Sequence, residues 1–193
     1  MSINLENHPL LPFLPPHSKL LLLGSFPPSR KRWSMDFFYP NLQNDMWRLF
    51  GLVFFNDSMH FLSQETGGFD QKKIEVFLNQ KGIALYDTAV QVVRGKGTAS
   101  DQFLEVIQAT DVFGLLEQIP SCTAIATTGE KATMVLCGQT GAAKPEIGKS
   151  TTFWHAQKEY SIFRLPSSSR AYPKPLKEKA IYYAKMFRHL GLL

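Results

Sequence analysis

The stretch KLLLLGSFPPSRKRWSMDFFYPNLQNDMW, residues 19–47, decides which fold the chain can adopt. It opens with an uninterrupted apolar run at residues 20–23, which ends at Gly24 and is followed by SFPP at 25–28. Such a run is typical of a strand that is buried on both faces, as in a parallel sheet. Glycine permits unusual backbone angles, and proline fixes φ and has no amide proton, so we predict that the strand ends at a stiff loop. Loops at the carboxyl ends of parallel strands are where open α/β sheets bind ligands.

Composition limits the classes of protein to which this chain can belong. With 193 residues, 44% of them hydrophobic, it can bury one core, and we expect a single domain over residues 1–193. No apolar run approaches the ~20 residues of a membrane-spanning helix, and the acidic, proline-rich N-terminus is unlike a secretory signal. We therefore expect a cytoplasmic protein without a membrane partner. Two cysteines, Cys122 and Cys137, cannot supply a four-ligand metal or iron–sulfur site, and the five histidines show no paired spacing, so we expect no metal.

The net charge of +5 is distributed unevenly along the chain. Residues 164–188 contain seven basic residues and one acid, a net +6, so the remainder of the chain carries −1. A second basic cluster, Arg30, Lys31 and Arg32, follows the first predicted strand. Two basic segments on a nearly neutral body suit a polyanion such as nucleic acid. A solvated basic helix and a solvated loop explain the same pattern without a partner.

Four short strands separated by helices are predicted along the chain. The strands are expected at residues 19–24, 83–86, 123–127 and 161–165. Helices are expected from Asn44 onward and at 70–80, 112–118, 130–137 and 176–190, with a loop at 94–101 and a surface loop or hairpin at 138–149. This order indicates an α/β fold with a mainly parallel sheet and helices on both faces. The polar residues that follow each strand would then meet at one edge of the sheet, which predicts a single cleft.

Four segments of the sequence resemble, in order, the uracil-DNA glycosylase superfamily. They are GSFPPSRKRW (24–33), FFYPNLQNDMW (37–47), GIALYDTAVQVVRGKGTASDQFLEVI (82–107) and LPSSSRAYP (165–173), the last followed by a basic helix. They are most similar to the branch of hypoxanthine-DNA glycosylases. The resemblance implies a three-layer α/β/α sandwich around a four-stranded mainly parallel sheet. It also implies excision of a flipped base beside the first loop, without a metal or redox cofactor.

Two positions depart from the pattern of the superfamily. Most branches carry a polar catalytic residue where this chain has Phe26, which cannot position water, and the fourth-strand motif often begins with histidine where this chain has Leu165. The hypoxanthine branch also lacks that polar residue and has an essential asparagine further along, which Asn44 matches. The resemblance therefore makes Asn44 the candidate catalytic residue. A helix N-cap without a chemical role explains Asn44 nearly as well.

The resemblance places the excised base in a pocket beside the first loop. The candidate pocket residues are Gly24, Ser25, Phe26, Pro27, Phe38 and Tyr39. Phe38 and Tyr39 are expected to stack on the base, whereas Phe37 is expected in the core because three consecutive side chains cannot face one pocket. Phe26 fits the core and the wall of the pocket equally well. Ser25 fits a hydrogen-bonded turn better than a nucleophile, and Asp87, at a strand end, is a candidate acid, base or helix cap.

Candidate DNA-binding residues occupy the two basic segments. They are Arg30, Lys31, Arg32, Ser167, Ser168, Ser169, Arg170, Lys174 and Lys177. Serine hydroxyls can donate to phosphates, and Arg170 is a candidate to enter the duplex or to bind a phosphate. The alternative is an ordinary serine-rich surface loop.

Together these features predict a monofunctional DNA glycosylase that acts as a monomer on DNA containing a damaged base. It would hydrolyse the N-glycosidic bond of hypoxanthine or uracil in base-excision repair, by base flipping and a positioned water. The alternative is an inactive homologue of the same fold that binds nucleic acid or a nucleotide, with Phe26 and Leu165 marking a lost active site. A third interpretation is an enzyme that cleaves a free nucleoside or nucleotide.

Overall fold

The computed structural model describes residues 5–95 and 103–193, and these residues form eight strands and five α-helices. The strands are β1 (Leu5–Asn7), β2 (Leu20–Gly24), β3 (Ile83–Asp87), β4 (Ala89–Arg94), β5 (Leu104–Ala109), β6 (Ala124–Thr128), β7 (Ser150–His155) and β8 (Lys158–Leu165). The helices are α1 (Met46–Phe55), α2 (Gln71–Lys81), α3 (Val112–Gln118), α4 (Glu130–Thr140) and α5 (Leu176–His189). Most of the predicted loop 94–101 lies outside the described residues.

Five strands form the main sheet, in the order β3-β2-β6-β8-β7. β2 runs parallel to β3 and to β6, and β6 runs parallel to β8, so these are the four parallel strands that the sequence predicts. The fifth strand, β7, pairs antiparallel with β8 in a hairpin. The fold is mixed α/β, as expected, but the prediction of a four-stranded sheet is wrong by one edge strand.

The fifth strand lacks the sequence features that reveal the other four. β7 (STTFWH) buries only Phe153, because an edge strand with one solvent-facing side needs few apolar residues. The two residues between β7 and β8, Ala156 and Gln157, have φ values of 46° and 62°. A tight hairpin turn of this kind normally uses Asn-Gly or Asp-Gly, so the dipeptide Ala-Gln gives no turn signal.

A second sheet of three antiparallel strands, in the order β1-β4-β5, is absent from the prediction. Its strands are short and partly exposed, and β1 lies in the proline-rich N-terminal segment. β4 follows β3 after a single residue, Thr88. Asp87 therefore ends one strand and precedes another, and its interpretation as a helix cap is wrong.

The core is centred on β2, whose residues are buried along its whole length because it lies between β3 and β6. Helices α1 and α5 pack on each other, with the rings of Phe50 and Phe187 5.3 Å apart. α2 has the predicted ends, since the Asp70 side chain accepts from Lys73 N and Gly82 takes a φ of 66°. The three-layer arrangement stays a prediction. No helix within residues 5–95 and 103–193 is long and apolar enough to cross a membrane.

Candidate functional site

The carboxyl ends of β2, β3, β6 and β8 meet around one cavity of about 760 Å³. Its walls come from the loop after β2, the segment that leads into α1, the start of α4 and the loop after β8. Residues from all four strand ends line it, including Ser25, Asp87, Thr128 and Ser167. The prediction that polar strand ends converge on a cleft is confirmed.

Gly24 allows two polar side chains to approach the end of β2 closely. A Cβ at this position would stand 2.3 Å from Asp87 Oδ1 and 3.0 Å from the hydroxyl oxygen of Tyr39. No side chain fits in this space, so residue 24 must be glycine for Asp87 and Tyr39 to approach the backbone this closely. The Tyr39 hydroxyl also lies 3.1 Å from Thr128 Oγ1. Gly24, Asp87, Tyr39 and Thr128 thus form the packed base of the cavity, which we call the cavity base.

The loop after β2 is held in place by a hydrogen bond from Arg94 on β4. Ser25, Phe26 and Pro27 all line the cavity, as predicted. Arg94 donates to the Pro27 carbonyl at 2.9 Å and pairs with Glu6 at 3.1 Å. Since proline also restricts φ, this loop presents a fixed backbone to the cavity.

The three aromatic residues 37–39 divide between the core and the cavity. Tyr39 lines the cavity and has a φ of 50°. Phe37 is 6% exposed and Phe38 only 2% exposed, and their rings meet at 5.1 Å. The expectation for Phe37 agrees with the structure, but the placement of Phe38 in the pocket is wrong. The Phe38 ring also packs on Tyr86, with ring centres 6.2 Å apart, and its carbonyl accepts from the Trp47 indole at 3.0 Å, so both its ring and its backbone are held in the core.

Asn44 lies at the cavity and also holds the start of α1. Its Oδ1 accepts from the amide of Met46 at 2.9 Å, whereas Asp45, the residue directly before the helix, makes no side-chain cap. Asn44 lines the cavity and is half-buried. No other hydrogen bond of its side chain is present within the described residues. One Oδ1 lone pair and the side-chain amide are therefore open to a ligand or water.

Backbone hydrogen bonds join the loop after β8 to the segment before α1. Asp45 N donates to Ser168 O at 2.8 Å and Arg170 N donates to Gln43 O at 3.3 Å, on either side of a bridge between Asn44 and Ser169. This bridge places the predicted catalytic residue directly beside the predicted phosphate-binding loop.

Two of the three serines of this loop line the cavity, and the third is buried. Ser167 Oγ and Ser169 Oγ each accept from a backbone amide two residues ahead, at 3.2 Å, which leaves their protons to be donated. Both residues line the cavity. Ser168 is 2% exposed and ties the loop to α1 through its carbonyl.

Arg170 lines the cavity, and part of its guanidinium is hydrogen-bonded within the protein. Its Nε donates to Asp45 Oδ1 at 2.9 Å. The other oxygen of that carboxylate lies 3.3 Å from Lys179 Nζ, which also donates to Ser169 O at 2.8 Å. Lys179 is fully buried, so this member of the basic segment is structural.

The first basic cluster directs only one of its cations to the cavity. Arg32 lines the cavity. Arg30 stacks over the Trp33 ring at 4.0 Å and pairs with Asp36, and Lys31 is exposed without lining the cavity.

Neither the last helix, α5, nor Lys174 just before it contributes a cation to the cavity. Lys174 pairs with Glu178 at 3.4 Å, Lys177 is exposed, and neither lines the cavity. Lys131, at the start of α4, does line it, although the sequence pattern does not single it out. Lys131 lies there because α4 begins directly after β6, one of the strands whose carboxyl ends surround the cavity.

Glu130 brings an acid to the rim of the cavity, where two cations bind it. Lys144 lies 2.8 Å away, and Arg164 also pairs with the carboxylate. The hydrogen bond from Lys144, supported by the charge of Arg164, lowers the pKa of Glu130. Arg164 is thereby neutralised and adds little to the positive field of the cavity.

His8, which no pattern in the sequence singles out, reaches the cavity base. His8 Nε2 lies 3.0 Å from Asp87 Oδ2, with the two side chains 2% and 7% exposed. The two residues are 79 positions apart, and His8 belongs to the N-terminal segment. Only the strand-end position of Asp87 signals this pair in the sequence.

The described residues contain no group of three or more His, Cys, Asp or Glu side chains that could hold a metal ion. Cys122 and Cys137 are buried free thiols. Burial raises the pKa of Cys122 to about 11, so this thiol is protonated at neutral pH.

No model of a known protein family matches the sequence, and no curated protein matches it. The structure is similar to the solution NMR structure of a "putative uracil DNA glycosylase" from Methanosarcina acetivorans, with a TM-score of 0.64 and 25% sequence identity. The match covers 94% of this chain and 96% of that one.

The chain has a uracil-DNA glycosylase-like fold. Because the similarity extends over nearly the whole of both chains, it supports the resemblance that the four sequence motifs indicate. The hypoxanthine branch and the roles of individual residues stay predictions.

Proposed function

We propose that this protein is a monofunctional DNA glycosylase that hydrolyses the N-glycosidic bond of a deaminated base, hypoxanthine or uracil, in DNA. The observation that carries the proposal is the cavity at the ends of the parallel strands, in a fold similar to a uracil DNA glycosylase-like protein. A volume of about 760 Å³ lies within the ordinary range of small-molecule sites and can hold a base with its sugar. A base inside a duplex is out of reach, so the substrate nucleotide must be flipped into this cavity.

The cavity offers the groups that this hydrolysis needs. The Tyr39 ring gives a stacking surface, a contact worth ~1–3 kcal/mol per base. The open lone pair of Asn44 Oδ1 can orient a water molecule toward C1′ of the sugar. In the loop after β2, residues 25–28, only Ser25 and Phe26 have backbone N–H groups, because Pro27 and Pro28 lack them, and these two amides can stabilise the negative charge that develops on the departing base.

The walls of the cavity suit a DNA backbone. Arg32 and Lys131 supply positive charge, and the hydroxyls of Ser167 and Ser169 are free to donate to phosphate oxygens. Arg170 donates from Nε to Asp45 and from Nη1 to Gln43 Oε1 at 3.4 Å, and its half-exposed guanidinium can still reach a phosphate or the space that the flipped base leaves. These contacts are independent of sequence and would bind any duplex.

The proposal includes the features that the sequence resemblance implies. We assign the chain to the hypoxanthine branch, as a single three-layer α/β/α domain that works as a cytoplasmic monomer in base-excision repair. Asn44 takes the place of the polar residue that Phe26 replaces.

A second candidate function is favoured by the hydrogen bond between Asn44 and Met46. If Asn44 serves only to cap α1, the loop after β2 has no group that positions water, because Phe26 stands in its polar position. The protein would then bind nucleic acid or a nucleotide without hydrolysis.

The test is a cleavage assay with end-labelled duplex and single-stranded oligonucleotides that carry uracil, hypoxanthine or no lesion. Chelator is present, and alkali converts abasic sites to strand breaks. We expect breaks at hypoxanthine or uracil and none in the lesion-free strand. DNA that is bound in a gel-shift assay but never cleaved would favour the binding protein.

A further inference from the structure

A second cavity, of about 240 Å³, lies between helix α5 and the paired strands β7 and β8. We call it the side pocket, to distinguish it from the main cavity at the strand ends. Its inner surface is apolar, because Phe163, Leu165 and Met186 line it and are all buried. Whole small molecules usually occupy cavities of ~300–1,000 Å³, so the side pocket suits a single ring system.

The side pocket has a rigid frame. Gly148 N donates to Arg164 O at 2.7 Å and Arg164 N donates to Lys149 O at 3.1 Å, so hydrogen bonds between the two chain segments continue beyond the start of β7. Gly148 has a φ of 80°, and a Cβ at this position would stand 2.4 Å from Cδ1 of Tyr182. Glycine therefore allows the segment before β7 to contact α5 closely, and this contact holds the Tyr182 ring at the side pocket.

Two lysines give the side pocket a positive charge. Lys149 and Lys185 line it and are exposed, and within residues 5–95 and 103–193 neither side chain forms a salt bridge. Arg164 also lines the pocket, but Glu130 neutralises it. No acidic residue of the described part of the chain lines the pocket. The charge of the two lysines is therefore uncompensated and favours an anionic ligand.

The rings of the side pocket suit a nucleobase. The rings of Phe163 and His189 lie 5.6 Å apart, and Tyr182 supplies a third ring. Contacts between bases and aromatic side chains tolerate any sequence, because every base has a π face. A nucleotide has both a flat base for these rings and a phosphate for the two lysines. An acidic peptide side chain would satisfy the lysines but would leave the rings uncovered.

The loop after β8 connects the side pocket to the main cavity. Tyr172 lines the main cavity. Lys174, two residues further along, has its Nζ 5.5 Å from the centre of the Tyr182 ring, which lines the side pocket. Arg164 lines the side pocket and pairs with Glu130, which lines the main cavity. The two sites are therefore neighbours, and one nucleic-acid strand can pass from one to the other.

We propose that the side pocket binds an unpaired nucleotide of the same DNA strand that delivers its damaged base to the main cavity. The base lies against the rings, and Lys149 and Lys185 contact the phosphates. This inference rests on the proposed function, because it names the form of DNA that the enzyme takes. The flanking bases of a duplex are paired and stacked, and removing one from the helix costs free energy. A single strand presents its bases without that cost, so single-stranded DNA is the substrate class that fills both sites.

The test is an abasic scan of single strands that carry the damaged base. The probes are fluorescein-labelled oligonucleotides with one 2′-fluoro-deoxyuridine or 2′-fluoro-deoxyinosine, because the fluorine makes the glycosidic bond resistant to hydrolysis. In each probe one flanking nucleotide is replaced by tetrahydrofuran, which keeps the phosphates and lacks the base. Fluorescence anisotropy gives the Kd of each probe. We expect one flanking position at which loss of the base weakens binding ~5- to 100-fold, the range of one contact between a base and an aromatic ring.

Variants of Ser150 connect this loss to the side pocket. Ser150 lines the pocket from an exposed position, so S150W and S150Y should both fill it and remove the position-specific loss. S150A should retain the loss. K149A and K185A should weaken binding to every probe alike, because the two lysines contact phosphates, and K72A, on the exposed side of α2, should not. Thermal unfolding of each variant confirms that the compared proteins are folded.

Three results would each overturn the inference. They are a wild type in which every flanking position has the same effect, a position-specific loss that S150W and S150Y leave unchanged, and displacement of the probes by free thymidine monophosphate as readily as by an unlabelled oligonucleotide. The last result would make the side pocket a site for free nucleotides.

The same probes distinguish this inference from the proposed function. A position-specific loss that S150W removes, in a protein that cleaves no natural oligonucleotide, would contradict hydrolysis and keep the side pocket. Cleavage of natural oligonucleotides without any position-specific loss in the scan would keep the glycosylase and reject the side pocket.

Discussion

Lys179 Nζ lies 3.3 Å from Asp45 Oδ2, and both side chains are almost fully buried. Arg170 binds the other oxygen of the same carboxylate at 2.9 Å, from the exposed side. Lys179 also donates to the Ser169 carbonyl. A buried cation on α5 therefore connects the start of α1 to the loop after β8, and Asp45, which it binds, holds Arg170 at the cavity.

The K179M variant should be strongly destabilised. Removing one partner of a buried ion pair leaves a charge without compensation, which costs about 3–5 kcal/mol, and the remaining contact with Arg170 places this case at the lower end. The matched control is K177M, two positions away on the exposed face of α5, which should change stability by no more than ~0.5 kcal/mol. Urea denaturation gives the free energy of unfolding for both. Equal losses in the two variants would show that Lys179 has no special part in holding the loop.

The G24A variant should disable the site with little effect elsewhere. The new Cβ would stand 2.3 Å from Asp87 Oδ1, so Asp87 must move away from its position at the cavity base. We expect excision and base preference to fall together. G138A, within α4, meets nothing within 4 Å and should stabilise the protein by roughly 0.5–1 kcal/mol, because alanine is the better helix former. The single-turnover excision rate and the thermal unfolding temperature are measured for both variants. A G24A variant that excises at the wild-type rate would mean that the cavity base tolerates rearrangement.

Local patterns account for the parts of the fold that the sequence predicts. The run at residues 20–23 is buried on both faces, Asp70 and Gly82 terminate α2, and Gly24 marks the end of β2. Each of these follows from the chemistry of a few neighbouring residues. The convergence of strand ends at one cavity then follows from parallel pairing.

The parts that the sequence leaves open depend on contacts between distant residues. His8 reaches Asp87 because β1 pairs with β4. β1 is a short, mostly exposed strand without an apolar pattern, so the sequence does not predict this pairing. In the sequence, Lys179 is one of several cations of a basic helix. Only the structure shows that it is buried and pairs with Asp45. Phe38 and Tyr39 are both aromatic, and only the contacts of the Phe38 ring with Phe37 and Tyr86, at 5.1 and 6.2 Å, show that Phe38 lies in the core.

The cations that line the cavity should control how DNA binding responds to salt. R32A and K131A should weaken binding to every duplex, damaged or not, and each should reduce the slope of log K against log salt by about one. K72A, an exposed cation on α2, is the matched control and should leave the slope unchanged. Fluorescence anisotropy over a range of salt concentrations measures these slopes. A slope that none of the three variants alters would place the phosphate contacts on another surface.

The N44A variant should separate the capping role of Asn44 from its proposed catalytic role. Loss of the hydrogen bond to Met46 N should cost about 1 kcal/mol of stability, as for other cap residues. Loss of the group that orients water should slow excision by ~10²–10³, well beyond any effect of so small a destabilisation. Asn41 gives a matched control, because it also lines the cavity and its Oδ1 accepts from Gln43 N at 2.9 Å in the same local pattern. N41A should therefore lose similar stability while it keeps most of its excision rate, measured under single-turnover conditions below the unfolding temperature of each variant. If both variants excise at the wild-type rate, Asn44 is a cap alone, and the water must be positioned by another residue of the cavity.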